Sequence, residues 1–202
     1  MSETPYRQAI ADYIRANANP PDKFSHQPRV YRLACELAEG RPFDDDVVFA
    51  AAWMHDLGVF IGHRPEPLAA LAVWDHIAYV TAKAPALLRD FGFPVEKIPA
   101  VLEAIRTHLP SGEPTTFEGT LLRDADLLEQ LGAVGILRAV SKVSRDTRFP
   151  RFDDALSVLR KNAVTLPALF RLDSTRRRAE ARLRILKAFL DSAAEEATGI
   201  EW

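Results

Sequence analysis

Cysteine is almost absent from this 202-residue chain: Cys35 stands alone, which excludes an internal disulfide and any cysteine-based zinc cluster. Its setting, Tyr31-Arg-Leu-Ala-Cys-Glu-Leu-Ala, reads as a small apolar residue on a helix rather than a reactive thiol. Long apolar runs are missing too. The longest, Val47 to Met54, is far too short to span a bilayer. The first residues lack the basic and apolar regions of a signal peptide, so the chain is expected to be soluble and cytoplasmic, with no membrane partner. Nor is one sign of charge in excess. The 26 basic and 28 acidic residues give a formal charge of -2, which argues against dedicated nucleic-acid binding. Small anionic ligands stay open, because a few local charges outweigh the total. Repeats, low-complexity tracts and strong linkers are lacking as well.

What is present is helical periodicity over nearly the whole length, on a composition that is 48% hydrophobic and 27% charged. The spacing predicts helices at about 5–17, from 25 or 26 to 39, from 47 to 57, and over 67–91 with a bend at Pro85. Others follow at about 95–108, 118–130, 133–144, 153–165 and 175–197. The third is apolar almost all round, which marks a central buried helix, and Asp44, Asp45 and Asp46 suit its N-terminus. In the last, Ala179, Leu183, Leu186 and Leu190 form an inner stripe. The run Arg176, Arg177, Arg178, Arg182, Arg184 and Lys187 then reads as a solvated face. The expected fold is all-α, a helical bundle of eight or nine helices. Residues 1–150 would form the core, and 151–202 would be C-terminal helices packed on it.

The five histidines, His26, His55, His63, His76 and His108, all fall in the first part of the chain. His55 and Asp56 are adjacent near the end of the most apolar helix, where an ionised carboxylate without a partner is costly. Neighbouring helical positions point about 100° apart, so both can address one centre in a groove. A bound cation would satisfy the carboxylate and orient the imidazole together.

The wider context resembles the HD superfamily of metal-dependent phosphohydrolases, whose pattern is His, then His-Asp, then a distant Asp. The matching segments are His26-Gln-Pro-Arg-Val-Tyr-Arg-Leu-Ala, then Ala51-Ala-Trp-Met-His55-Asp56-Leu-Gly, then Leu121-Leu-Arg-Asp-Ala-Asp126-Leu-Leu-Glu-Gln-Leu-Gly. The resemblance runs over about 22–140. It implies one divalent ion (Mn, Fe, Co, Ni or Mg) held by His26, His55, Asp56 and Asp126. It also implies hydrolysis of a phosphate ester or anhydride by metal-activated water, with a nucleotide as the expected small phosphorylated substrate. The family's ligand is usually the Asp of an Ala-Asp pair, which selects Asp126. Asp124, about 200° away on the helix, would orient a ligand or a water.

Some HD enzymes carry two further histidines and hold two metals, and His76 and His108 fit that order. They are therefore candidates for a second ion or for substrate contact. Arg29 lies one turn after His26 on nearly the same face and is the first choice for a substrate phosphate, with Arg64 second. His63 and Glu66, in the loop just beyond the pair, are candidates for proton transfer beside Asp56. The chain departs from HD nucleotidases that carry a Glu three residues after the HD Asp, since that position is Val59 here. Two alternatives stay open: a two-iron HD oxygenase, which requires His76 and His108 as ligands, and a non-catalytic nucleotide-binding HD module. A homodimer is compatible with each.

Overall fold

A computed structural model describes residues 4–146 and 149–198, which divide into two compact units, Met1–Ala125 and Asp126–Trp202. The described residues hold ten α-helices and no strand: α1 Pro5–Asn17, α2 His26–Leu37, α3 Asp45–Met54, α4 Leu68–Ala72, α5 His76–Asp90, α6 Ile98–Thr107, α7 Phe117–Glu129, α8 Gly132–Val140, α9 Phe152–Thr165 and α10 Asp173–Glu196. The all-α expectation holds, with ten helices in place of eight or nine. The additional helix comes from 67–91, which is two helices rather than one bent at Pro85. The break falls at 73–75, where the Asp75 carboxylate accepts from the Ala78 backbone N–H at 2.9 Å and starts α5. Pro85 sits inside α5.

In the first unit α3 is the centre. Every residue from Val47 to Met54 is buried, and α1, α2 and α6 pack around it. A helix apolar on all sides can be stable only with partners on all sides, which is why this segment carries Ala50, Ala51 and Ala52 where neighbours approach. Its N-terminus is fixed by charge. Asp44 caps it, accepting from the Asp46 and Val47 N–H groups. Arg7 on α1 donates to Asp45 and Asp46, each at 2.7 Å. Tyr31 on α2 donates to Asp45 at 2.7 Å. Lys97 Nζ reaches Asp44 at 2.9 Å and Asp46 at 2.8 Å. The opposite end of α3 carries His55 and Asp56, so this anchorage sets where they point.

Burial alone would favour the neutral form of Asp46, but hydrogen bonds from Lys97 and Arg7 outweigh it and hold the carboxyl at about 2. A depressed carboxyl pKa adds stability that is present above the unfolded value, about 3.9, and is lost as pH falls through the folded one. Lys97→Met is therefore expected to move the acid limb of the stability curve to higher pH. Urea midpoints measured from pH 5 down to 2 check this, and superimposable acid limbs would refute it.

In the second unit α8, α9 and α10 pack on one another. Ala179, Leu186 and Leu190 of the expected inner stripe are buried and Leu183 is half-buried, with the arginine run largely exposed. No helix among the described residues is long and apolar enough to cross a membrane.

Candidate metal centre

Helix ends bring the histidines together. His26 is the first residue of α2, His55 the C-cap of α3, His76 the first residue of α5 and His108 the C-cap of α6. The two C-caps share one device. His55 Nδ1–H donates to the Ala52 carbonyl at 2.9 Å, and His108 Nδ1–H to the Ile105 carbonyl at 2.7 Å. A carbonyl only accepts, so in each ring the proton is on Nδ1 and, in the neutral ring, Nε2 presents its lone pair. One bond thus satisfies a terminal helix carbonyl and fixes the tautomer a metal ligand requires.

His26 Nε2 and His55 Nε2 are 3.2 Å apart, and Asp56 Oδ2 lies 3.5 Å from the first and 3.7 Å from the second. Ligand atoms about 2.1 Å from one ion lie roughly 3 to 3.4 Å apart for cis-octahedral or tetrahedral angles, so this spacing fits a shared cation. Ligand atoms of His26, His55 and Asp56 all fall within 4.8 Å of one another, and so do those of Asp56, His76 and His108. Asp56 belongs to both groups. The rings form a row, with centroids 5.1 Å apart for His26–His55, 4.9 Å for His55–His108 and 6.2 Å for His108–His76. His26, His55 and His108 are buried, while Asp56 keeps a 21% exposed side chain. A donor set of imidazoles and a carboxylate suits a divalent ion, and the exposed edge of Asp56 leaves a way in for solvent and ligand.

A family model for the HD domain matches residues 24–131, more than half of the chain. The chain belongs to the HD domain family. No curated protein matches it. Among solved structures, Bacillus subtilis YpgQ is similar with a TM-score of 0.75 and 22% identity over 100% of both chains. YpgQ in complex with ADP gives 0.72 and 22% over 96% of each. A predicted HD superfamily hydrolase from an uncultured Thermotogales bacterium gives 0.66 at 27% identity, over 97% of this chain and 95% of that one. The fold is that of HD superfamily hydrolases.

In this HD domain the remaining candidates occupy different places. Arg29 is half-buried on α2, one turn beyond His26. His63 stands in a separate network: its Nε2–H donates to Asn17 Oδ1 and its Nδ1 is paired with the Tyr79 hydroxyl, each at 2.8 Å. Burial and the nearby Lys83 ammonium lower its pKa, which favours the neutral ring. Arg64 follows, its backbone N–H on the Phe60 carbonyl at 3.1 Å, and Glu66 is exposed on the same loop. His63 and Glu66 belong to neither convergent group.

Asp124 is fully buried on α7, 3.7 Å from the guanidinium of Arg123, and belongs to neither group. Asp126 is 8% exposed, begins the second unit and likewise belongs to neither group. Burial pushes the Cys35 thiol up to about 11, in keeping with an unreactive side chain.

Sequence reasoning missed two residues that set the geometry. Arg123, 2% exposed, donates to the carbonyls of Leu109 and Pro110, at 3.3 and 2.7 Å, and so holds the chain just after His108. A lone arginine among Leu121, Leu122 and Ala125 was the available signal. Gly58 is the second: a Cβ there would lie 2.8 Å from the His76 carbonyl oxygen. Trp74 Nε1–H donates to the Gly58 carbonyl at 2.8 Å, so the turn after Asp56 is stapled to the start of α5.

Proposed function

We propose that this HD domain is a divalent-metal-dependent phosphohydrolase that cleaves a phosphate ester or anhydride in a small phosphorylated substrate, a nucleotide. The observation that carries this reading is the convergence of His26, His55 and Asp56, and the ADP complex of the similarly folded YpgQ supports the nucleotide. His26, His55 and Asp56 would hold the ion. When bound, it supplies Lewis acidity toward a phosphoryl oxygen and lowers the pKa of water. The protein's own part is to present the lone pairs of His26 and His55 and the carboxylate of Asp56 in one place. Arg29 binds the substrate phosphate from the next turn of α2, with Arg64 as the second cation.

A second reading is favoured by one specific observation. Asp56 also converges with His76 and His108, so these three residues would hold a second ion. A two-iron oxygenase would use the same residues.

The experiment is elemental analysis of the purified protein, wild type beside His55→Ala and His108→Ala, followed by a nucleotide screen with and without oxygen. One equivalent lost in His55→Ala supports the one-metal hydrolase. Two equivalents falling to one in His108→Ala support the two-metal site, and oxygen-dependent turnover then selects the oxygenase. Full metal loading without turnover selects a binding module. A wild type that holds no metal after reconstitution with Mn or Fe sinks the site.

A further inference from the structure

The outward face of α10 carries an exposed seam of small and apolar residues. Ala181, Ile185, Ala188 and Ser192 are exposed at spacings of four, three and four, the spacing of a coiled-coil seam. Charge along the helix is uneven. Arg176, Arg177, Arg178, Arg182, Arg184 and Lys187 outnumber Asp173 and Glu180 on the N-terminal side, whereas the C-terminal side has Asp191, Glu195 and Glu196 with no base after Lys187. Ser192 and Glu196 also line an apolar groove of about 420 Å³ between α8, α9 and α10, with Leu137, Phe152, Leu156 and Phe189. Leu137 is 70% exposed and Phe152 46%.

We propose that this face pairs with the same face of a second copy of the chain, antiparallel, in a two-fold symmetric dimer. One register satisfies the seam and the charges together. Ala181 of one copy opposes Ser192 of the other, and Ile185 opposes Ala188. The same alignment sets Arg178 against Glu195, with Arg177 next to that pair and Arg184 beside Asp191 on the same flank. Each pairing occurs twice, as a two-fold axis requires. A parallel pairing would instead place the arginines of both copies together, so charge selects the antiparallel form. The small residues let the helices approach closely, and the second helix runs along the lip of the groove at Ser192. None of this depends on the metal reading.

The test is light scattering during gel filtration of the full chain, over a concentration range up to roughly 100 µM. A dimer is expected. Changing Arg177 and Arg178 together to Glu should raise its dissociation constant about 100-fold, because like charges then face each other. Adding Glu195→Arg and Glu196→Arg to that variant should restore it to within about fivefold. Ile185→Glu, at a position 50% exposed, should give a monomer that keeps the wild-type helical content and melts at a temperature independent of protein concentration. A wild type that stays monomeric overturns the proposal, as does a dimer insensitive to both the reversal and Ile185→Glu. A monomer whose groove instead takes up an amphipathic helical peptide overturns it too.

Discussion

Asp56→Asn is expected to remove metal binding from both convergent groups and to lower turnover by roughly 10³-fold, about 4 kcal/mol of transition-state stabilisation. The reasoning starts from what the substitution leaves in place. Asparagine has almost the same shape, so packing near the 21% exposed side chain is kept, but it carries no charge to offset a cation. Asp56 is the one residue common to the His26–His55 group and the His76–His108 group. His108→Ala, by contrast, strips a ligand from one group only and should leave the other loaded. Thermal melts separate metal loss from unfolding. Saturating Mn at about 100 times its dissociation constant stabilises a folded protein by about 2.7 kcal/mol, so wild type should melt several degrees higher with Mn than without. Asp56→Asn should melt at one temperature under both conditions. Full metal content and a retained Mn shift in Asp56→Asn would refute a ligand role for this carboxylate.

The two groups were not equally legible in the sequence. His55 and Asp56 stand out because a charged pair ends a helix of otherwise apolar residues, and burial there demands a partner. His26 followed only from family resemblance, since nothing in its own segment distinguishes a ligand from an ordinary polar start to a helix. His76 was harder still. Periodicity over 67–91 reads as one helix, and within it His76 has no special place. The structure breaks that helix at Asp75, so His76 becomes a first-turn residue, and a first-turn residue can be aimed by the loop before it. Asp75 three residues before Ala78 was a readable cap signal, whereas Pro85 sits inside α5 without ending it.

The fold class was legible for a simpler reason: a 3.6-residue apolar period survives any arrangement of helices. What no period encodes is a close approach of two backbones. Gly58, Arg123 and the Asn17–His63–Tyr79 network all join segments far apart in sequence. The sequence offered a candidate role for His63 and an isolated arginine at 123, but no partner for either until the second segment was in place.

Gly58→Ala puts that last point to a test. The added Cβ would lie 2.8 Å from the His76 carbonyl oxygen, 3.0 Å from its Cβ and 3.1 Å from its Cα. Two of those three atoms are backbone, so no side-chain rotation relieves the contact. His76 cannot retreat cheaply either, because Asp75 caps α5 on one side and Trp74 holds the Gly58 carbonyl on the other. Overpacking of this kind costs about 1–3 kcal/mol, a fall in melting temperature of roughly 2–10 °C for a chain of this length. The displacement should also be selective. His26 and His55 lie on α2 and at the end of α3, away from the clash, whereas His76 is the group pushed from Asp56. Gly58→Ala should therefore keep the metal bound by the first group and lose any held through His76 and His108. Trp74→Phe removes the hydrogen bond to the Gly58 carbonyl without adding an atom, and should reproduce a weaker form of the same selective loss. Unchanged melting and unchanged metal content in Gly58→Ala would mean that the turn after Asp56 does not position His76.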